Sequence, residues 1–111
     1  MTLGELETIE RYKLPIAVVV MNDAAYGAER HFLDLDGLPH RTSQFPATDF
    51  APIASALGLR SATIRTVGDL HECASLVCES GLLLLDCKIR PDVRANWIDE
   101  LEEVVNARRP V

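Results

Sequence analysis

Apolar runs alternate with amphipathic segments along this chain. The runs that predict strands are residues 16–21, 62–67 and 82–89. Apolar residues recur at the spacing of one helix face in residues 2–12, in a shorter stretch from Gly27, and in residues 49–57, 69–80 and 94–108. Strands that are apolar throughout and separated by helices indicate a parallel sheet covered on both faces. The pattern predicts an α/β fold, a three-layer α/β/α arrangement with a mostly parallel sheet.

Capping and helix-breaking residues place the ends of these elements. Thr2 precedes Glu5 by the spacing of a capping box, and Pro15 ends the first helix. Thr48 or Asp49 is the expected cap of the third helix. Glycines are expected to end the third and fourth helices, at Gly58 and Gly81. The last helix is expected to bury its apolar residues, which are Trp97, Leu101, Val104 and Val105.

Composition limits the classes to which the chain can belong. Its 111 residues, 48% of them hydrophobic, suit one domain with a modest core. A formal net charge of −6 argues against a nucleic-acid partner, whose phosphates require a basic surface. No apolar run approaches the roughly 20 residues that span a bilayer, and the charged opening is not a signal peptide. A cytoplasmic protein without a membrane partner is expected, and buried reduced thiols are predicted for Cys73, Cys78 and Cys87, with a disulfide or zinc site as the minor alternative.

The segment after the first strand carries the candidate chemistry. Residues 16–27 read IAVVVMNDAAYG, so a buried strand ends in an amide and a carboxylate. Ligands of parallel sheets collect at the carboxyl ends of strands, where Asp23 supplies a hard oxygen suited to Mg²⁺ and small residues let a phosphate approach backbone amides. The alternative is that Asn22 and Asp23 only form a turn and a helix cap. Spacing alone favours that alternative.

Three stretches of the sequence resemble the pyrophosphate-binding domain of thiamine diphosphate-dependent enzymes, the group of acetolactate synthase, benzoylformate decarboxylase and pyruvate decarboxylase. The first stretch is MTLGELETIERYKLPIAVVVMNDAAYG, in which LPIAVVVMND resembles the closing segment of the family signature, with Asp23 in place of the second Asn. FPATDFAPIASALGL and GLLLLDCKIRPD resemble the segments that follow. The resemblance implies that residues 1–111 are the C-terminal part of such a domain.

The resemblance also implies the cofactors, thiamine diphosphate and Mg²⁺, and their ligands. In the family, the aspartate of Gly-Asp-Gly, the second Asn side chain and a backbone carbonyl two residues later bind the metal. Carried over to this chain, the metal ligands are Asp23 and the Ala25 carbonyl. The diphosphate would be lined by Asn22, Tyr26 and Gly27. An Asp in place of the Asn keeps an oxygen ligand.

The chain departs from the family pattern in what the sequence lacks. The Gly-Asp-Gly segment would lie just upstream of Met1, and the domain that supplies the activating glutamate is not in the sequence. The resemblance therefore implies part of an enzyme acting on 2-oxo acids, a decarboxylase or carboligase, with the chain inactive by itself and no catalytic residue assigned to it. The alternative is a non-catalytic α/β module for binding or oligomerisation. A homo-oligomer is expected because the narrow sheet would leave a hydrophobic strand edge unpaired.

Other polar residues have plainer interpretations. Arg30 and His31 follow the motif on a helix and are expected on its exposed surface. His40 is expected to be solvated in a loop, and His71 to lie on the surface of the fourth helix. The acidic residues within 99–103 are expected to form a solvated helix face.

Overall fold

The computed structural model describes the backbone of residues 3–80 and 82–108, and their side chains apart from those of 78–80 and 108. The helices are α1 (Leu3–Arg11), α2 (Gly27–Leu35), α3 (Phe50–Ala56), α4 (Val67–Ser80) and α5 (Asn96–Arg108), with a short 3₁₀ turn at Arg41–Ser43. The strands are β1 (Ala17–Asn22), β2 (Arg60–Ile64) and β3 (Leu83–Lys88). The predicted cap at Thr2 and helix stop at Gly81 lie outside the described residues, as does the side chain of Cys78. No helix among the described residues is long and apolar enough to cross a bilayer.

The strands form a parallel sheet with β3 in the middle. The order is β1-β3-β2, and both neighbouring pairs run parallel. Val18 lies opposite Leu84, and Ala62 lies opposite Leu85. Parallel neighbours need crossover connections, which the helices between the strands provide. The predicted α/β fold with a parallel sheet is confirmed.

Helices cover both faces of this sheet. One face packs against α1 and α3 through the buried residues Leu6, Ile9, Val18, Ala54, Leu59 and Leu84. The other face packs against α4 through Ile64, Cys73, Leu83 and Leu85. Because successive side chains of a strand point to opposite faces, β3 is buried on both sides. The predicted three-layer arrangement is confirmed around this sheet.

The chain divides into two compact units. The first contains the sheet and comprises the described residues up to Asn22 together with Thr48–Ile89. The second comprises Asp23–Ala47 and the described residues from Arg90 onward, and so contains α2 and α5. The boundary follows Asn22, the last residue of β1. Of the candidate site residues, Asn22 belongs to the first unit and Asp23, Ala25, Tyr26 and Gly27 belong to the second.

The prediction that the last strand is apolar throughout is wrong. Asp86 lies within β3 and its side chain is fully buried. The run LLLLDCKI looks apolar because hydrophobic residues dominate it, and β3 tolerates a carboxylate there because hydrogen-bond donors surround it.

The predicted burial of the last helix is also wrong. Its residues Trp97, Leu101, Val104 and Val105 are between 36% and 52% exposed. Ile98, which the helical pattern did not single out, is only 3% exposed. Helical periodicity identified the element, but burial depends on which residues of other elements meet it, and periodicity carries no information on that.

The histidines of the second unit also depart from expectation. His31 is buried, so it does not lie on the exposed surface of α2. His40 is not simply solvated, because its Nδ1 lies 2.5 Å from a carboxylate oxygen of Asp34. Arg30 is largely buried and donates to the carbonyl of Pro91 at 3.2 Å. Long side chains of this kind bury their stems while their polar ends find partners.

Candidate functional site

The carboxyl end of β1 is fixed by hydrogen bonds of Asn22. Its side-chain amide donates to the Thr48 carbonyl and to Oδ1 of Asp86, both at 2.9 Å. Asn22 and Asp86 lie on neighbouring strands and are separated by 64 positions in the sequence. The two contacts join the end of β1 to β3 and to the residues just before α3.

Asp86 is a buried carboxylate satisfied by three donors. Besides the Asn22 amide, it accepts the backbone N–H of Phe50 at 2.8 Å and the ammonium of Lys88 at 2.9 Å. Burial raises the pKa of Asp86, but the hydrogen bonds from Lys88, Asn22 and the Phe50 N–H lower it by more, and the pKa lies below its ordinary value. Asp86 is therefore ionised at neutral pH and forms a charge-assisted cap on the first N–H of α3.

Asp86 takes the capping role that the sequence predicts for Thr48 or Asp49. Asp49 does occupy the N-cap position of α3, as predicted, but its side chain makes no capping hydrogen bond. Its carboxylate instead pairs with Lys88 at 2.9 Å. Lys88 also donates to the Thr48 carbonyl at 2.6 Å. Burial lowers the pKa of Lys88, but hydrogen bonds to Asp86 and Asp49 raise it by more.

In the second unit, Asp23 closes a tight turn. Its Oδ1 accepts the backbone N–H of Ala25 at 3.0 Å, which is the hydrogen bond of an Asx turn. Ala24 between them has a φ of 55°, in the left-handed region that costs a non-glycine residue about 1–2 kcal/mol. Strained backbone of this kind is found often at binding sites, where surrounding contacts hold it. Here a bridge between Ala25 and Gln44 is one such contact.

Gly27, the first residue of α2, lies against the Asp23 side chain. A Cβ at position 27 would come closer than 3.0 Å to Oδ2 of Asp23, and 3.5 Å from its Cγ. Glycine at this position leaves room for the carboxylate where it stands. The first intrahelical hydrogen bond of α2 runs from the Arg30 N–H to the Tyr26 carbonyl. The N–H groups of Gly27 and the next two residues therefore have no acceptor within the helix, as at any helix start.

The backbone N–H groups of the two residues just before Gly27 are already used inside the second unit. The Ala25 N–H goes to Asp23, and the Tyr26 N–H donates to the Ser43 carbonyl at 2.8 Å. The Tyr26 ring meets Phe45 edge-on, with 4.6 Å between centroids. Donors for an anion in this segment thus begin at Gly27.

The donor set of this turn fits Mg²⁺ but does not complete a metal site. A carboxylate at Asp23 and a backbone carbonyl at Ala25 are the hard oxygen ligands that Mg²⁺ takes. Among the described residues, no three His, Cys, Asp or Glu side chains form a group that could hold a metal ion. Two protein ligands leave most of an octahedral shell to water or to other groups.

The parallel sheet with helices on both faces defines an α/β domain, and in such domains ligands collect at the carboxyl ends of the strands. A family model described as "Thiamine pyrophosphate enzyme, C-terminal TPP binding domain" matches residues 1–87. The chain belongs to this family.

Curated relatives agree with this assignment, and a solved structure shares the fold. The acetolactate synthase large subunit of Pyropia yezoensis is 27% identical over 93 residues, and that of Porphyra purpurea is 28% identical over 93 residues. These matches cover 80% of this chain but only 16% of each relative. The thiamine diphosphate-dependent 4-hydroxybenzoylformate decarboxylase of Rhodococcus jostii RHA1 superposes with a TM-score of 0.68 at 24% identity, over 79% of this chain and 17% of that one. This likeness shows the fold.

Sequence reasoning missed Asp86 and Lys88. The signal was present as an acidic and a basic residue in an apolar run, because a charged residue in a buried strand must find partners. Of the predicted thiols, Cys73 and Cys87 are free, and burial is the main cause that raises the pKa of Cys87. His71 is exposed, as expected.

Proposed function

We propose that this chain is the diphosphate-binding part of a thiamine diphosphate- and Mg²⁺-dependent enzyme that acts on 2-oxo acids, a decarboxylase or carboligase. Membership of the family supports the cofactor, and the position of Asp23 directly after β1 is the observation that supports the site. The curated relatives that it matches are acetolactate synthase large subunits, which supports the carboligase branch. The structural neighbour is named as a decarboxylase, which supports the other branch.

In this proposal each residue has a limited role. The Asp23 carboxylate and the Ala25 carbonyl hold Mg²⁺, and the N–H groups that begin at Gly27 face the diphosphate. Tyr26 borders the same turn with its ring packed on Phe45. When bound, thiamine diphosphate supplies the electron sink for cleavage or formation of a bond next to a carbonyl group. No described residue is assigned a step in that chemistry.

The alternative function is a non-catalytic module for binding or oligomerisation. The exposed apolar residues of β1 favour it, because Val19 is 52% and Met21 63% exposed on a strand at an edge of the described sheet. Such an edge can pair with another chain. We propose a homo-oligomer in the cytoplasm under either function. An in-frame Gly-Asp-Gly and a glutamate-bearing domain in the DNA immediately upstream would support the enzyme.

Paramagnetic broadening tests the metal site even if binding is weak. Mn²⁺ replaces Mg²⁺ at oxygen sites, so millimolar Mn²⁺ with inorganic pyrophosphate should broaden the amide signals of residues 23–28 in the ¹⁵N-labelled chain. Asp23→Ala should remove this broadening, whereas Asp36→Ala at the other end of α2 should leave it. Broadening confined to the acidic residues of α5, and unchanged in Asp23→Ala, would contradict the proposed site.

A further inference from the structure

We infer that Asp86 is a positioning residue, which holds the side-chain amide of Asn22 so that Asn22 braces the end of β1 and does not donate to a diphosphate. The part of this inference that concerns the diphosphate rests on the proposed function. We call the contacts of Asn22 with Thr48 and Asp86 the brace, and all three residues belong to the first unit.

The amide hydrogens of Asn22 are both used within the fold. A primary amide carries two N–H donors. One reaches the Thr48 carbonyl and the other Oδ1 of Asp86, each at 2.9 Å. Phosphate oxygens of an ionised diphosphate accept hydrogen bonds, so a residue that binds them through its side chain must have a donor to offer. The Asn22 amide has none left unless it leaves Asp86.

A carboxylate is the group that this position requires. The three partners of Asp86 are all donors, namely the Asn22 amide, the Phe50 N–H and the Lys88 ammonium. An ionised carboxylate only accepts, so every contact is matched. An asparagine of the same shape would turn an NH₂ group toward a donor and leave one of them unsatisfied in a buried place.

Lys88 and Thr48 complete the brace. The ammonium has three hydrogens, and it contacts three acceptors: Asp86 at 2.9 Å, Asp49 at 2.9 Å and the Thr48 carbonyl at 2.6 Å. The Thr48 carbonyl thereby accepts from both Lys88 and Asn22. Rotation of the Asn22 amide would take a donor from the fully buried carboxylate of Asp86, and losing a hydrogen bond at a buried charge is costly. The contacts of the Asn22 amide with Thr48 and Asp86, both in the first unit, therefore favour one direction of this amide.

The test is a direct measurement of the Asn22 amide in solution. In the chain labelled with both ¹³C and ¹⁵N we expect a scalar coupling across the hydrogen bond from Asn22 Nδ2 to the Asp86 carboxyl carbon, and side-chain NH₂ signals displaced from those of free amides. Asp86→Asn should return these signals to the free-amide position and lower the melting midpoint by about 4–8 °C. The control is Asp69→Asn, which makes the same change at an exposed carboxylate that accepts two backbone N–H groups.

The outcomes separate the brace from the proposed function. If the wild-type chain shows no coupling and free-amide signals, the brace is refuted, even where Asp86→Asn fails to fold. On addition of millimolar Mg²⁺ and inorganic pyrophosphate, the Gly27 amide should shift while the Asn22 NH₂ signals stay in place. Movement of the Asn22 signals together with Gly27 would refute the inference. If no signal shifts at any residue, the proposed diphosphate site is contradicted. The brace is then tested by the coupling measurement by itself.

Discussion

Replacing Gly27 with alanine should displace the carboxylate of Asp23. The added Cβ would lie closer than 3.0 Å to Oδ2 of Asp23, a separation that real Cβ atoms essentially never show. The φ of Gly27 does not lie in the left-handed region, so alanine meets no backbone strain there. The effect of the substitution on the Asp23 carboxylate is therefore steric. The carboxylate cannot turn away freely, because its Oδ1 accepts the Ala25 N–H at 3.0 Å.

The expected cost follows from these contacts. Loss of the Asx hydrogen bond is worth about 0.5–1.5 kcal/mol, and an off-rotamer Asp23 side chain about 0.5–1.5 kcal/mol. Alanine returns part of this, since it exceeds glycine in helix propensity by up to about 1 kcal/mol. Gly27→Ala should therefore lower the free energy of unfolding by up to about 3 kcal/mol, measured by urea denaturation.

A double-mutant cycle separates this steric effect from others. In a chain that already carries Asp23→Ala, the obstruction is gone, and Gly27→Ala should be neutral or stabilising. Gly37→Ala is the matched control, because Gly37 has a φ of +64° and nothing within 4 Å of the added Cβ. Its cost is a backbone cost of about 1–2 kcal/mol and should not depend on Asp23. If the Asp23 and Gly27 effects add to within about 0.3 kcal/mol, the explanation given for Gly27 is wrong.

Further predictions concern pH, cofactor and association. The pKa of Asp86 is lowered in the folded chain, so ionised Asp86 stabilises the fold fully above the unfolded carboxyl pKa of about 3.9, and this stabilisation is lost as pH falls through the lower folded pKa. The pKa of Lys88 is raised, so charged Lys88 stabilises the fold fully below the unfolded pKa of about 10.4, and this stabilisation is lost as pH rises through the folded pKa. If Asp86→Asn does not change how the urea midpoint depends on pH between about pH 2 and 5, the statement about Asp86 is wrong. In calorimetry the 111-residue chain should bind Mg²⁺-thiamine diphosphate weakly or not at all. A micromolar dissociation constant would contradict this prediction. Sedimentation at micromolar concentration should show that the chain associates and that Met21→Lys weakens the association. A well-folded wild-type monomer would contradict this prediction.

The fold was accessible from the sequence because its signals are local or periodic. The run before Asn22 predicted β1, and the observed strand, Ala17–Asn22, begins and ends one residue later than predicted. The second predicted strand was displaced, since residues 62–67 were expected and β2 is Arg60–Ile64. Thr66 shows why, because its N–H and hydroxyl both bond to Asp69 and start α4 there. A side-chain cap overrode the β propensity of Thr66 and Val67.

The parts that could not be predicted depend on distant contacts. The exposure of Trp97 and the burial of Ile98 on α5 depend on which elements the helix meets, as does the burial of His31. The bond between Asn22 and Asp86 joins positions 64 residues apart, and no sequence spacing announces it. A parallel sheet creates such pairs because its neighbouring strands are far apart along the chain.

Two adjacent residues at the end of β1 thus have different kinds of role. Asn22 is held by Thr48 and Asp86, which belong to the same unit as the sheet, and its donors are used there. Asp23 bonds instead to the turn that follows it, through Ala25, and a side chain at position 27 would collide with its carboxylate. The brace can therefore be removed by Asp86→Asn without any change in the residues of the turn, and the turn by Gly27→Ala without any change in the brace. If the proposal is right, Asp86→Asn should lower the free energy of unfolding more than it lowers the free energy of Mn²⁺ binding. Gly27→Ala should lower the free energy of Mn²⁺ binding more than the free energy of unfolding.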